Sequence, residues 1–196
     1  MWQIDKRFDF CYGHRVYTQK LNSDFCENND DSCKCKHPHG HQGAVHVFLE
    51  ADTLDDQGMV TDFKHLGWLK NWIDDHIDHK FIISNHDPMF DVMVNYPFME
   101  YENNALDWSV DVNHVYVDGF HAGWELTLRP PQSQYETSIH ELLSGYFIVD
   151  FVPTSENLSK WMGAIVSHKM SMFSKSFRVN RIEWFETPKS RSTFLP

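Results

Sequence analysis

Residues 33–51 read CKCKHPHGHQGAVHVFLEA, and this stretch joins a cluster of metal-ligating side chains to a run with strand character. From Gln42 to Ala51 the apolar Val45, Val47 and Leu49 recur at every second position, the period of a half-buried β-strand. His39 and His41 precede that run two residues apart. On a strand, or on the extended approach to one, both imidazoles point to the same face. Gly40 between them lets another backbone come close without steric cost.

Two ligands do not make a site, and the third candidate is His14. Residues 2–12 alternate as well, with Trp2, Ile4, Phe8 and Phe10 on one side and Gln3, Asp5, Arg7 and Asp9 on the other. If the two strands form a meander, His14, just past the end of the first, meets His41, just before the start of the second. Three neutral histidines leave one position of a tetrahedral zinc ion open, which is the catalytic pattern. A rival set is a structural knot of Cys33, Cys35, His39 and His41. Its ligand pairs lie closer together than the loops of roughly a dozen residues in finger-type sites. With 13 histidines in the chain, an HGH can also arise by chance.

The chain has 196 residues, 41% hydrophobic and 15% aromatic, enough to bury a core. Its net charge of −11 argues against a nucleic-acid binder or a protein held on an anionic membrane, both of which need a basic footprint. No run approaches the ~18 apolar residues of a membrane span. The first residues, MWQIDKRFDF, lack the apolar core of a signal peptide, so the expected location is cytoplasmic, with thiols reduced. That sets metal binding or catalysis ahead of disulfide formation for Cys11, Cys26, Cys33 and Cys35.

Elsewhere, Thr61 or Asp62 is placed to cap a helix whose apolar face runs Phe63, Leu66, Leu69, Ile73, Ile77 and which ends near His79. A second helix opens at PTSEN, with Thr154 as N-cap and Glu156 against the helix dipole. Residues 177–186 read as a strand, and STFL adds another. Between the helices, 86–146 holds short strand-like pieces, NHVYV and WELTL, with no clear element order, and reads as an insertion packed at the rim. Its His114 and His121 read as surface or structural groups. The element order gives a single α+β domain spanning 1–196, with an antiparallel sheet and two helices. Asp78-His79 at the helix end is either a plain terminus or a carboxylate–imidazole proton relay. Glu186, in WFET, is a solvated strand-end charge or, if buried, an acceptor of paired hydrogen bonds from an amino-imine edge.

In this order, FDFCYGHR, CKCKHPHGH, GMVTDF, HIDHKF, PTSENLSKW and FET resemble the 6-pyruvoyltetrahydropterin synthase / 6-carboxytetrahydropterin synthase family. The resemblance covers nearly the whole chain outside 86–146. It implies the tunnelling fold (T-fold), an antiparallel sheet with two helices on one face, assembled as a homohexamer with active sites between subunits. It implies Zn2+ on His14, His39 and His41, an Asp78–His79 relay, Glu186 as pterin anchor, and further pterin contacts from Thr154 and Glu156. The implied substrate is 7,8-dihydroneopterin triphosphate. Carboxy-forming members resemble C-x3-HGH, here Cys35, and give 6-carboxytetrahydropterin, acetaldehyde and triphosphate on the way to 7-deazaguanines such as queuosine. Pyruvoyl-forming members resemble C-x5-HGH, here Cys33. The chain carries both. The expected base is Cys35, four residues from His39, with Lys34 and Lys36 favouring its thiolate. A non-catalytic pterin-binding module of the same fold is the reading from another class.

Overall fold

The computed structural model describes residues 1–22, 24, 33–95, 110–128 and 134–196; Cys26 lies outside them. The two alternating runs form β1 (Trp2–His14) and β2 (His39–Ala51), paired antiparallel from Trp2 opposite Ala51 to His14 opposite His39. Both histidine segments therefore lie inside the strands, not beside them. His14 pairs directly with His39, and His41 lies opposite Tyr12.

Among the described residues the other strands are β3 (Lys80–Ser84), β4 (Val110–Val117), β5 (Phe120–Leu128), β6 (Tyr146–Val149), β7 (Arg178–Thr187) and β8 (Ser190–Phe194). All join one sheet in the order β4-β5-β6-β3-β1-β2-β7-β8. The α+β architecture is the expected one, but the sheet is mixed rather than wholly antiparallel: β3 runs parallel to both β1 and β6. The reason is connectivity. A helix lies between β2 and β3, and a hairpin and a helix lie between β3 and β6, so the chain can re-enter the sheet in the same direction.

Helices α1 (Gly67–His76) and α3 (Ser155–Phe173) cover one face. Their buried Leu69, Ile73, Leu158, Met162 and Ile165 meet Phe8, Phe10, Val45, Val47 and Trp184 of the strands. Thr154 caps α3 by accepting a hydrogen bond from the Asn157 amide at 3.2 Å. Asp62 caps a 3₁₀ turn, Phe63–Leu66, that leads into α1. Leu66, Leu69, Ile73 and Ile77 are fully buried as expected, whereas Phe63 is exposed. The helix stops at His76 rather than His79, because Ile77 already leaves helical geometry and His79 is left-handed at φ 61°.

A third helix, α2 (Gln134–Ser144), was not legible as an element. It packs on the opposite face, where Leu143 joins Ile83, Leu126, Tyr146 and Ile148. The described parts of 86–146 thus extend the sheet through β4 and β5, which join it by way of β6. On the β4–β5 hairpin His114 Nδ1 lies 3.1 Å from His121 Nε2, flanked by Tyr116 and Trp124. Replacing both histidines with alanine should leave the metal content of the protein unchanged, which metal analysis of the purified variant checks.

Candidate metal centre and surrounding cavity

The strand period places His39 and His41 on one face, and the β1–β2 register brings His14 beside them. The ligand nitrogens of the three all lie within 4.8 Å of one another, with His41 Nε2 3.0 Å from His14 Nε2. Two of the rings have their other nitrogen fixed. His14 Nδ1–H donates to the Pro153 carbonyl at 2.6 Å, and His39 Nδ1–H donates to the His37 carbonyl at 2.7 Å. In the neutral ring such a bond leaves Nε2 as the free acceptor nitrogen, the arrangement in which metal-bound histidines are held. Neutral imidazoles converging at this spacing fit a divalent cation with an open coordination position. Neither Cys33 nor Cys35 belongs to this donor set, which among the described residues removes the Cys2His2 knot.

Packing around the triad is tight. Tyr12 lies edge-on to His14 at 5.3 Å and receives a hydrogen bond from buried Trp184 at 3.0 Å. A Cβ on Gly43 would sit 2.7 Å from the Tyr12 ring, and one on Gly13 2.7 Å from the Phe81 ring. At Gly40 the nearest atom would be 3.4 Å away, an ordinary contact. The glycines that close packing requires flank the HGH strand pairing; the one inside the motif is not among them.

His14 is 1% exposed, and its pKa falls to about 4. Burial is the main cause, His39 and His41 add to it, and the Pro153 bond opposes it. Burial and His39 also lower His41. An unfolded imidazole takes its proton near pH ~6.5, so between about 6.5 and about 4 the unfolded chain binds more protons than the folded one. Metal-free protein should therefore lose stability as pH falls through that window. Thermal melts should show a steeper acid decline for wild type than for His14→Asn.

The triad opens into a cavity of about 370 Å³ also lined by Lys20, Cys35, Thr154, Glu156 and Glu186. Cys35 sits in a 3₁₀ turn, Lys34–Lys36, and its carbonyl accepts a hydrogen bond from Val16 N at 2.8 Å, which ties the turn to the end of β1. His37 is extended (φ −79°, ψ 148°), as a residue before proline is expected to be. The Cys35 thiol is pushed up from its ordinary value, first by burial, then by a hydrogen bond to Cys33 and the nearby charges of Cys33 and Glu186. Neither Lys34 nor Lys36, expected to favour the thiolate, is among the causes of this shift. Glu186 Oε1 lies 3.8 Å from His14 Nε2. Burial, then Glu156, raises its pKa, and His39 opposes them. Lys20, a lysine in a polar loop, carried no sequence signal for a place in this cavity.

Asp78 and His79 lie elsewhere. Asp78 Oδ1 accepts from Cys11 N at 2.8 Å and lies 3.1 Å from His79 Nδ1, and the His79 amide donates to the Cys11 carbonyl at 2.7 Å. These bonds hold His79 in its left-handed conformation, which is uncommon for a non-glycine residue. Its side chain is 79% exposed and lines a second cavity of about 810 Å³ with Cys11, Phe81 and Tyr146, which shares His39 and His41 with the first. Within one chain the pair does not reach the Cys35–Glu186 cavity.

Among the described residues no helix is long and apolar enough to cross a membrane. The chain is 39% identical over 93 residues to 6-carboxy-5,6,7,8-tetrahydropterin synthase of Aquifex aeolicus, a match covering 45% of this chain and 57% of the relative. It is 30% identical over 88 residues to the Rickettsia bellii enzyme of that name, covering 44% and 55%. The chain thus spans a little over half the length of the curated relatives it matches. The structure of an uncharacterized Wolinella succinogenes protein matches with a TM-score of 0.78 at 35% identity, covering 99% of this chain and 97% of that one. The structure of Caenorhabditis elegans 6-pyruvoyl tetrahydropterin synthase shares the fold, with a TM-score of 0.53 at 19% identity over 100% and 95% of the chains. The profile of 6-pyruvoyl tetrahydropterin synthase matches residues 3–196, so the chain whose three histidines converge at the β1–β2 end belongs to that family.

Proposed function

We propose that this chain is a zinc-dependent carbon–carbon lyase that converts 7,8-dihydroneopterin triphosphate to 6-carboxy-5,6,7,8-tetrahydropterin, acetaldehyde and triphosphate, on a route to 7-deazaguanine compounds of the queuosine type. The observation that carries the reading is the gathering of three imidazoles, a thiol and two carboxylates around one cavity of about 370 Å³. His14, His39 and His41 hold the metal, with the His14–Pro153 and His39–His37 bonds fixing their tautomers. Bound there, zinc supplies the positive charge that lowers the pKa of the substrate's side-chain hydroxyls.

Cys35 takes a proton from the substrate side chain. Glu186 accepts hydrogen bonds from the amino-imine edge of the pterin, Thr154 and Glu156 add contacts, and Lys20 meets phosphate oxygens. Asp78 and His79 return a proton from a neighbouring copy. Their absence from the lining of that cavity, and the exposure of His79, support a site completed by another copy, as in a homohexamer with active sites between subunits. The chain is one domain, with 86–146 as its insertion.

Mass-spectrometric identification of the product after incubation with 7,8-dihydroneopterin triphosphate tests the reading. The carboxylated pterin is expected. A pyruvoyl product would assign the other branch, which the C-x5 spacing of Cys33 favours, and no turnover with tight binding would indicate a pterin-binding module. Glu186→Ala should weaken substrate binding by about 1–3 kcal/mol, the cost of leaving its partners unpaired, without loss of metal. Unchanged affinity by calorimetry would reduce Glu186 to a strand-end charge.

A further inference from the structure

Cys33 and Cys35 belong together as a chemical unit. Cys33 is the extended residue that precedes the 3₁₀ turn (φ −120°, ψ 133°), and Lys36 N bonds back to its carbonyl at 3.1 Å. The turn keeps both cysteines within one short loop, and the Cys33 side chain is one of the groups that act on the Cys35 thiol. Both thiols are free and partly exposed, and only Cys35 lines the histidine cavity. The Cys33 side chain favours the protonated form of Cys35. Cys33 is the outer of the two, open to a peroxide arriving from solvent, and Cys35 lies behind it at the cavity.

We propose that Cys33 and Cys35 form an oxidisable dithiol, a modification site for hydroperoxides at the mouth of the metal cavity. Cys33 thiolate attacks the peroxide, the O–O bond breaks, and Cys33 becomes a sulfenic acid as alkoxide or hydroxide leaves. Cys35 sulfur then attacks Cys33 Sγ, an S–S bond replaces the S–O bond, and hydroxide leaves with the Cys35 proton as water. Two thiols lose two hydrogens and the peroxide takes up two electrons. Closing the bond requires the sulfurs to come to about 2.05 Å, a shift within reach of a short surface turn. Oxidation removes the Cys35 thiol from the cavity and leaves the three imidazoles in place. The effect on turnover rests on the reading of Cys35 as the base. The bond itself does not.

The test uses fully reduced, metal-loaded protein treated with one equivalent of hydrogen peroxide and then with N-ethylmaleimide. Digestion at acidic residues avoids cutting at Lys34 and Lys36. The peptide carrying both cysteines should lose two hydrogens and take up no maleimide, and dithiothreitol should reverse this, with Cys11 alkylated throughout. In Cys35→Ser, dimedone should trap a sulfenic acid on Cys33; in Cys33→Ser, no bond should form. Wild-type turnover should fall about 100-fold on oxidation, return with dithiothreitol, and leave metal content unchanged. Both thiols alkylated after peroxide, or a bond from either to Cys26 or to another chain, would overturn the proposal. A mapped Cys33–Cys35 bond with unchanged turnover would uphold the modification and refute Cys35 as base.

Discussion

His39→Ala is expected to strip the metal from the protein and to lower turnover by about a thousandfold, equivalent to ~4 kcal/mol of transition-state stabilisation. His14→Ala and His41→Ala should behave alike, because the three nitrogens form one set within 4.8 Å and two imidazoles hold a divalent ion far more weakly than three. His14→Ala carries a second penalty, since it also orphans the Pro153 carbonyl and empties a site that is 1% exposed. His39, half-exposed, gives the cleaner result. The control is a Cys33→Ser/Cys35→Ser double variant, which should keep its metal. Metal lost from the serine variant but kept in the histidine variants would reinstate the knot.

Cys35→Ala is expected to retain metal while turnover falls by about 10²- to 10⁴-fold, the usual contribution of a positioned proton acceptor. Cys33→Ala should stay largely active, because its side chain is not among those lining the histidine cavity. A pH–rate profile adds a reading that simple loss of packing would not. The hydrogen bond to Cys33 is one of the causes that raise the Cys35 pKa, so its removal should move the acid limb of the profile to lower pH. The reverse pattern, with Cys33→Ala inactive and Cys35→Ala active, would place the base at the C-x5 position and favour the pyruvoyl-forming branch.

Local rules carried a large part of this architecture. The alternation in β1 and β2, the Thr154 cap, the buried face of α1 and the extended His37 all follow from spacing within a few residues. The missed elements had weak local signals. β3 and β6 are short strands whose neighbours in the sheet are far away in sequence, and among the described side chains of α2 only Leu143 is buried. The helix end was misplaced by three residues because an apolar spacing that includes Ile77 continues past the point where the backbone turns.

The candidate site divides in the same way. By itself the sequence determined that His39 and His41 share a face, since a strand has a period of two, and that Cys35 lies one short turn away. The resemblance of six ordered blocks placed His14, Glu186, Asp78 and His79 in a family pattern without fixing their positions in space. Only the tertiary structure decided that His14 pairs in register with His39, that Glu186 comes within 3.8 Å of His14, and that Lys20 joins their cavity. It alone set His79 facing a different cavity and made Cys33 a neighbour that acts on the Cys35 thiol. Strand register and side-chain burial depend on partners many residues apart. A hydrogen bond or a pKa depends on the neighbours those partners bring, which no local spacing encodes.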